Sequence, residues 1–175
     1  MNNKSIALLL VAAFAALISC TSGLDKDVER LTRLEKNIDA SDARPEQAKL
    51  NELLEEYQKF VNEHPDDSLA PTFLYKAITL SMSMNQGEKA IALSDRMINE
   101  YSKSKHIPEV IFLKGFIYEN FQSNYAQALK SYQDFIKMFP NHELTDDAEA
   151  AIANLGKSPD EMVREFERKA AEASQ

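Results

Sequence analysis

An apolar stripe that occurs three times at nearly constant spacing constrains this chain more than any other feature. From Asn124 to Pro140, the residues Tyr125, Ala128, Leu129, Tyr132, Phe135, Ile136 and Phe139 recur at the spacing of one helix face, and Gln127, Lys130, Asp134 and Lys137 fall on the other. Pro140 ends the stretch, because a prolyl ring has no N–H to donate and disfavours helix at the residue before it. Leu50, Leu53, Leu54, Tyr57, Phe60, Val61 and His64 carry the same stripe ahead of Pro65, and Ala90, Leu93, Met97, Ile98 and Tyr101 carry it ahead of Ser102. Pro65, Ser102 and Pro140 stand 37 and 38 residues apart. A helix with one apolar face cannot bury that face alone, so the economical arrangement stacks one copy against the next.

The composition agrees with helix. Only 4 glycines occur in 175 residues, and Ala, Leu, Lys and Glu, the strong helix formers, are plentiful. The formal net charge of −8 repels phosphate backbones and anionic lipid surfaces, which argues against nucleic acid as a partner and against electrostatic membrane attachment. The single cysteine cannot form an internal disulfide.

The first twenty residues read as an address. Asn2, Asn3 and Lys4 precede a 13-residue apolar run, Ile6 to Ile18, which is shorter than the ~20 residues of a membrane span and suits the core of a secretory signal. Leu17-Ile18-Ser19-Cys20 follows. It resembles the lipobox of bacterial lipoproteins: an aliphatic residue, a tolerated middle residue, a small residue, then Cys. The resemblance implies cleavage between Ser19 and Cys20, diacylation of the Cys20 sulfur and acylation of the new N-terminus, a multi-chain anchor of the kind that holds stably. The competing readings are an ordinary signal peptide with an incidental Cys, or an uncleaved anchor. Thr21 stands where inner-membrane lipoproteins of enteric-type bacteria often carry Asp, so by analogy the destination is the outer membrane. Asp25, Asp27 and Glu29 look a little like the export signal of some Bacteroidetes lipoproteins, although the run is interrupted and late.

The expected organisation is a signal peptide over 1–19, a lipidated tether over 20–26, a helical-repeat domain over 27–171 and a frayed tail over 172–175. Within the repeat domain, helices are expected over 27–38, 46–63, 69–84, 88–101, 108–121, 124–140, 145–155 and 159–171. Asn85-Gln86-Gly87 and Ser123-Asn124 read as turns. Ser158-Pro159-Asp160-Glu161 reads as a capping box opening the last helix, which buries Met162, Val163 and Phe166 as a cap on the stack.

Small residues mark where helices cross closely. Ala77 and Gly115, 38 apart, sit midway along the first helix of a pair, with Leu80 and Tyr118 three later, and Ala90 and Ala128 open the second helix. Gly115, Tyr118, Ala128, Tyr132 and Pro140 resemble the tetratricopeptide repeat well; Ala77, Leu80, Ala90 and Ser102 resemble it more loosely. The pairs are a few residues longer than the usual ~34, Ile111 holds the early Trp position, and Met97 or Phe135 holds the late small position. The resemblance covers about 27–155 and implies an all-α, right-handed superhelix of antiparallel helix pairs closed by a C-terminal capping helix. The whole pattern looks like envelope lipoproteins of Bacteroidetes-type bacteria. More loosely, it is similar to the helical-repeat lipoprotein of outer-membrane protein assembly and to the Tol-Pal-associated repeat protein.

Catalytic motifs are not apparent: there is no Gly-rich phosphate loop, no HExxH and no GxSxG. His64, His106 and His142 each lie at an inter-helix turn and read as solvated loop residues, not metal ligands; no cofactor is implied. Glu52, Glu55, Glu56 and Glu63 read as a solvated helix face. The family's peptide groove, carried over from Ala77 and Gly115, would be lined by Leu74, Ile78, Ser81 and Met82, then Phe112, Phe116, Glu119 and Asn120. Leu74, Ile78, Phe112 and Phe116 would receive an apolar or aromatic segment of another envelope protein. The competing and favoured reading is that a terminal helix or the Ala-rich helix covers this strip. The sequence thus points to a non-enzymatic, lipid-anchored scaffold. An assembly or chaperone-like subunit for outer-membrane proteins is the alternative, and a peptidoglycan- or sugar-associated subunit is a more distant one.

Overall fold

A computed structural model of the chain describes residues 23–38 and 45–173, apart from the side chains of Pro159, Phe166 and Ala173. Every regular element among them is an α-helix: α1 (23–38), α2 (Gln47–Glu63), α3 (Ala70–Ser83), α4 (Gly87–Glu100), α5 (Ile107–Asn120), α6 (Tyr125–Met138), α7 (Thr145–Asn154) and α8 (Pro159–Ala173). The chain divides into two compact units, Met1–Phe73 and Leu74–Gln175, with the boundary inside α3.

In the first unit α2 buries Leu53, Leu54, Tyr57, Phe60 and Val61, the expected stripe. Phe73 completes its aromatic cluster, with ring centroids 5.7 Å from Tyr57 and 4.6 Å from Phe60. Polar contacts tie α1 to α2: the Tyr57 hydroxyl donates to Glu35 Oε1 at 2.7 Å, and Arg30 bridges Asp27 and Glu56 at 3.1 and 2.6 Å. Residues 23–26, the described part of the expected tether, are helical and belong to α1.

In the second unit α4 packs on α5, α5 on α6 and α6 on α7. Gly115 is what lets α5 and α6 meet: a Cβ there would stand 2.7 Å from the Tyr132 ring. Gly87 opens α4 under Phe121 in the same way, with 2.8 Å available. Phe112, Tyr132 and Phe135 form the aromatic centre, Phe112 lying 5.5 and 5.7 Å from the other two rings.

One turn is built three times. His64, Tyr101 and Phe139 are the C-caps of α2, α4 and α6, with φ/ψ of −130/55, −126/40 and −133/58, and their N–H groups bond to the carbonyls of Phe60, Met97 and Phe135. Three residues on, the N–H of Asp67, Ser104 and His142 bonds back to the C-cap carbonyl at 3.1, 2.8 and 3.1 Å. The side chains of those same three residues accept from the N–H of Leu69, His106 and Leu144. Three different side chains thus do one task, satisfying an amide that would otherwise be orphaned at a helix start. Pro65, Ser102 and Pro140 follow the C-caps directly. The turns inside the pairs also correspond: Asn85 and Ser123, 38 apart, both take the left-handed conformation, with φ of 59 and 50.

Three expectations are corrected. Tyr125 is not on the buried face; it is 45% exposed at the first residue of α6. Met162 and Val163 do not cap a core but are 41% and 56% exposed. The contacts that fix the start of α8 are polar: the Ser158 hydroxyl accepts from Glu161 N–H, Glu161 Oε2 accepts from Ser158 N–H at 2.8 Å, and Lys157 pairs with Glu165. Finally, α8 runs past the expected end at 171 to Ala173, with Arg168 and Glu172 paired at 2.7 Å one turn apart. The proposed signal peptide, Ser19 and Cys20 lie outside the described residues.

Candidate functional site

The structure separates the eight groove candidates into two sets. On α3, Leu74, Ile78 and Ser81 are fully buried, and the Ser81 hydroxyl donates back to the Ala77 carbonyl at 2.8 Å. Side chains with no exposed area cannot touch a partner while the fold stays closed, so these three are core residues and the expected apolar strip is not an open surface along α3. Met82, the residue after Ser81, is half-buried.

On α5 the equivalent positions are different. Phe112 is half-buried, and Phe116 is 39% exposed with its ring edge-on to Phe121 at 6.2 Å. Asn120 is exposed and its amide donates to the Phe116 carbonyl. Glu119 is held from the other side: the buried Tyr132 hydroxyl donates to its Oε2 at 2.9 Å. Burial, followed by the hydrogen bond to Glu119 and its negative charge, raises the Tyr132 hydroxyl pKa well above its ordinary value. The available surface is therefore one turn of α5 around Phe116, with Met82 of α3 as the remaining half-buried member of the set.

The histidines have separate roles. His142 is a turn cap, its Nδ1 accepting from Leu144 N–H, and its Nε2 stands 3.9 Å from Glu109 Oε1. His106 stacks on Tyr75 with ring centroids 4.5 Å apart and planes 7° apart. Burial lowers the His106 pKa, Lys105 adds to the effect, and Glu109 opposes both. Its Nε2 is buried without a hydrogen-bond partner, so an added proton would gain no acceptor there. The Tyr75 hydroxyl is pushed up by burial and then by the Glu109 charge. His64 contacts Asp27 across the first unit at 3.1 Å.

The sequence marks a ready N-cap in the loop His64 to Ser68, but not that Asp67, Ser104 and His142 cap one recurring turn. The available signal was their spacing of 37 and 38, the same as that of Pro65, Ser102 and Pro140. Among the described residues no helix is long and apolar enough to cross a membrane.

Residues 109–142, which span most of α5, all of α6 and the turn after it, match the family model described as the tetratricopeptide repeat. The matched segment contains Gly115, Tyr118, Ala128, Tyr132 and Pro140. The chain is thus an all-α protein carrying a tetratricopeptide repeat, a class that generally serves as a protein–protein interaction scaffold and is generally non-enzymatic. No curated protein matches the chain.

Proposed function

We propose that this chain is a lipid-anchored, non-enzymatic scaffold of the bacterial cell envelope that holds another envelope protein against the exposed turn of α5. The observation that carries the reading is Phe116, a large aromatic 39% exposed on the first helix of the matched repeat. An aromatic side chain rimmed by polar groups such as Asn120 is a typical protein-binding anchor. The partner supplies an apolar or aromatic segment. Cys20 holds the chain at the membrane through its acyl chains, with signal cleavage after Ser19 and, by the absence of Asp at position 21, delivery to the outer membrane. The support for this half is the placement of the single cysteine directly after the Ile6–Ile18 run and a small residue.

Metabolic labelling with an alkyne-bearing palmitate, followed by membrane fractionation, tests the anchor. The native chain takes up label and sediments with membranes, whereas Cys20→Ser takes up none and is released. A Cys20→Ser chain that stays with the membranes overturns the proposal.

A further inference from the structure

We propose that Asp27, Glu63 and His64 bind one zinc ion that clamps α1 to the end of α2. One ligand atom from each residue lies within 4.8 Å of the others, and His64 Nε2 stands 3.1 Å from Asp27 Oδ2. Zinc takes imidazole nitrogen and carboxylate oxygen at ~2.0–2.2 Å, so two ligands on one tetrahedral ion stand ~3.4 Å apart. The His64–Asp27 pair stands at 3.1 Å, near that separation, and the exposed Glu63 side chain at the helix end brings its ligand atom within 4.8 Å of both.

The convergence has a backbone cause. Successive residues of a helix point about 100° apart and do not face each other. Glu63 is the last helical residue, but His64 is the C-cap at φ −130, ψ 55, which turns its ring back over Phe60 at 4.9 Å and toward Asp27. The turn itself does not require histidine there, since Tyr101 and Phe139 take the same cap conformation in the other two copies. Arg30 holds the other Asp27 oxygen, Oδ1, at 3.1 Å and leaves Oδ2 for the ion, as an outer-shell partner orients a ligating carboxylate. Arg30 is also paired with Glu56, and Lys59 lies 3.9 Å from Glu63. The three carboxylates around the site thus outnumber its two cations. One imidazole with two carboxylates favours a borderline ion such as zinc over calcium or magnesium, which take oxygen alone.

The clamp has a structural reason to exist. Among the described side chains of α1, Leu31 alone is fully buried while Leu24, Val28, Leu34 and Ile38 are half-buried, and an ion at Asp27 would add to that partial apolar packing. This inference is independent of the scaffold reading.

The test is calorimetric titration of the chelator-stripped full chain, in detergent, with zinc chloride alone, and thermal unfolding with and without zinc. One ion per chain binds saturably and raises the unfolding midpoint. His64→Tyr, which installs the residue the second turn carries, weakens binding by about tenfold or more. His142→Ser, which installs the side chain that Ser104 supplies in the second turn, and Cys20→Ser bind as the native chain does. Should His64→Tyr fail to fold, Asp27→Asn takes its place with the same expectation. Absence of saturable uptake, unchanged affinity in His64→Tyr or in its Asp27→Asn replacement, or loss of binding in Cys20→Ser overturns the site.

Discussion

Gly115 on α5 lies so close to Tyr132 on α6 that a methyl group in place of its hydrogen would stand 2.7 Å from both Cδ1 and Cε1 of the ring. Tyr132 is 1% exposed and its hydroxyl is held by Glu119, so the ring cannot swing aside. This contact sets the spacing of the matched repeat.

Gly115→Ala is therefore destabilising although alanine is the better helix former. Overpacking costs ~1–3 kcal/mol, and helix propensity returns ~1 kcal/mol. The expected net loss is ~1 kcal/mol, read as a lower urea midpoint with unchanged slope. In a Tyr132→Ser background the same change loses its penalty, because the ring is gone; the two substitutions couple.

Tyr132→Phe removes a buried hydrogen bond and costs ~1 kcal/mol at neutral pH. It also changes the alkaline limb. The folded-state pKa of Tyr132 lies above the unfolded value of 10.0, so the native chain has this stabilisation in full below pH 10 and loses it as pH rises toward the folded pKa. The urea midpoint of the native chain therefore falls more steeply above pH 10 than that of Tyr132→Phe.

Acid acts first on α8. Lys157, then Lys169, hold the Glu165 carboxyl down to about 2, and the hydrogen bonds from Ser158 lower that of Glu161. Depressed carboxyl pKa values contribute stability above the unfolded value of 4.5 that is lost as pH falls toward 2. Amide exchange protection in α8 declines across that window while protection in α5 and α6 is retained. Glu165→Gln shows the weaker protection already at neutral pH.

The fold was largely legible because one stripe recurs. Phe60, Met97 and Phe135 are buried as their spacing implies, since each must face its neighbour. What the stripe could not convey was the difference between copies. Leu74 and Phe112 occupy equivalent places, as do Ile78 and Phe116, yet the α3 members are buried and Phe116 is 39% exposed. Exposure depends on what lies outside the pair, and a repeat pattern does not encode that. The likeness of the three turns was hidden because Asp67, Ser104 and His142 share an acceptor atom but no residue type. Met162 looked like core because apolar residues at helical spacing say nothing about whether a neighbour is present to receive them.

The most direct test of the scaffold is crosslinking from detergent-solubilised membranes with the native chain and Phe116→Glu. Because Phe116 is 39% exposed and its ring contact is with Phe121, the substitution costs only ~1 kcal/mol and leaves the helical signal intact. The account predicts that the native chain captures a discrete envelope partner and that Phe116→Glu, equally folded and equally anchored, does not. Capture undiminished by Phe116→Glu would contradict it.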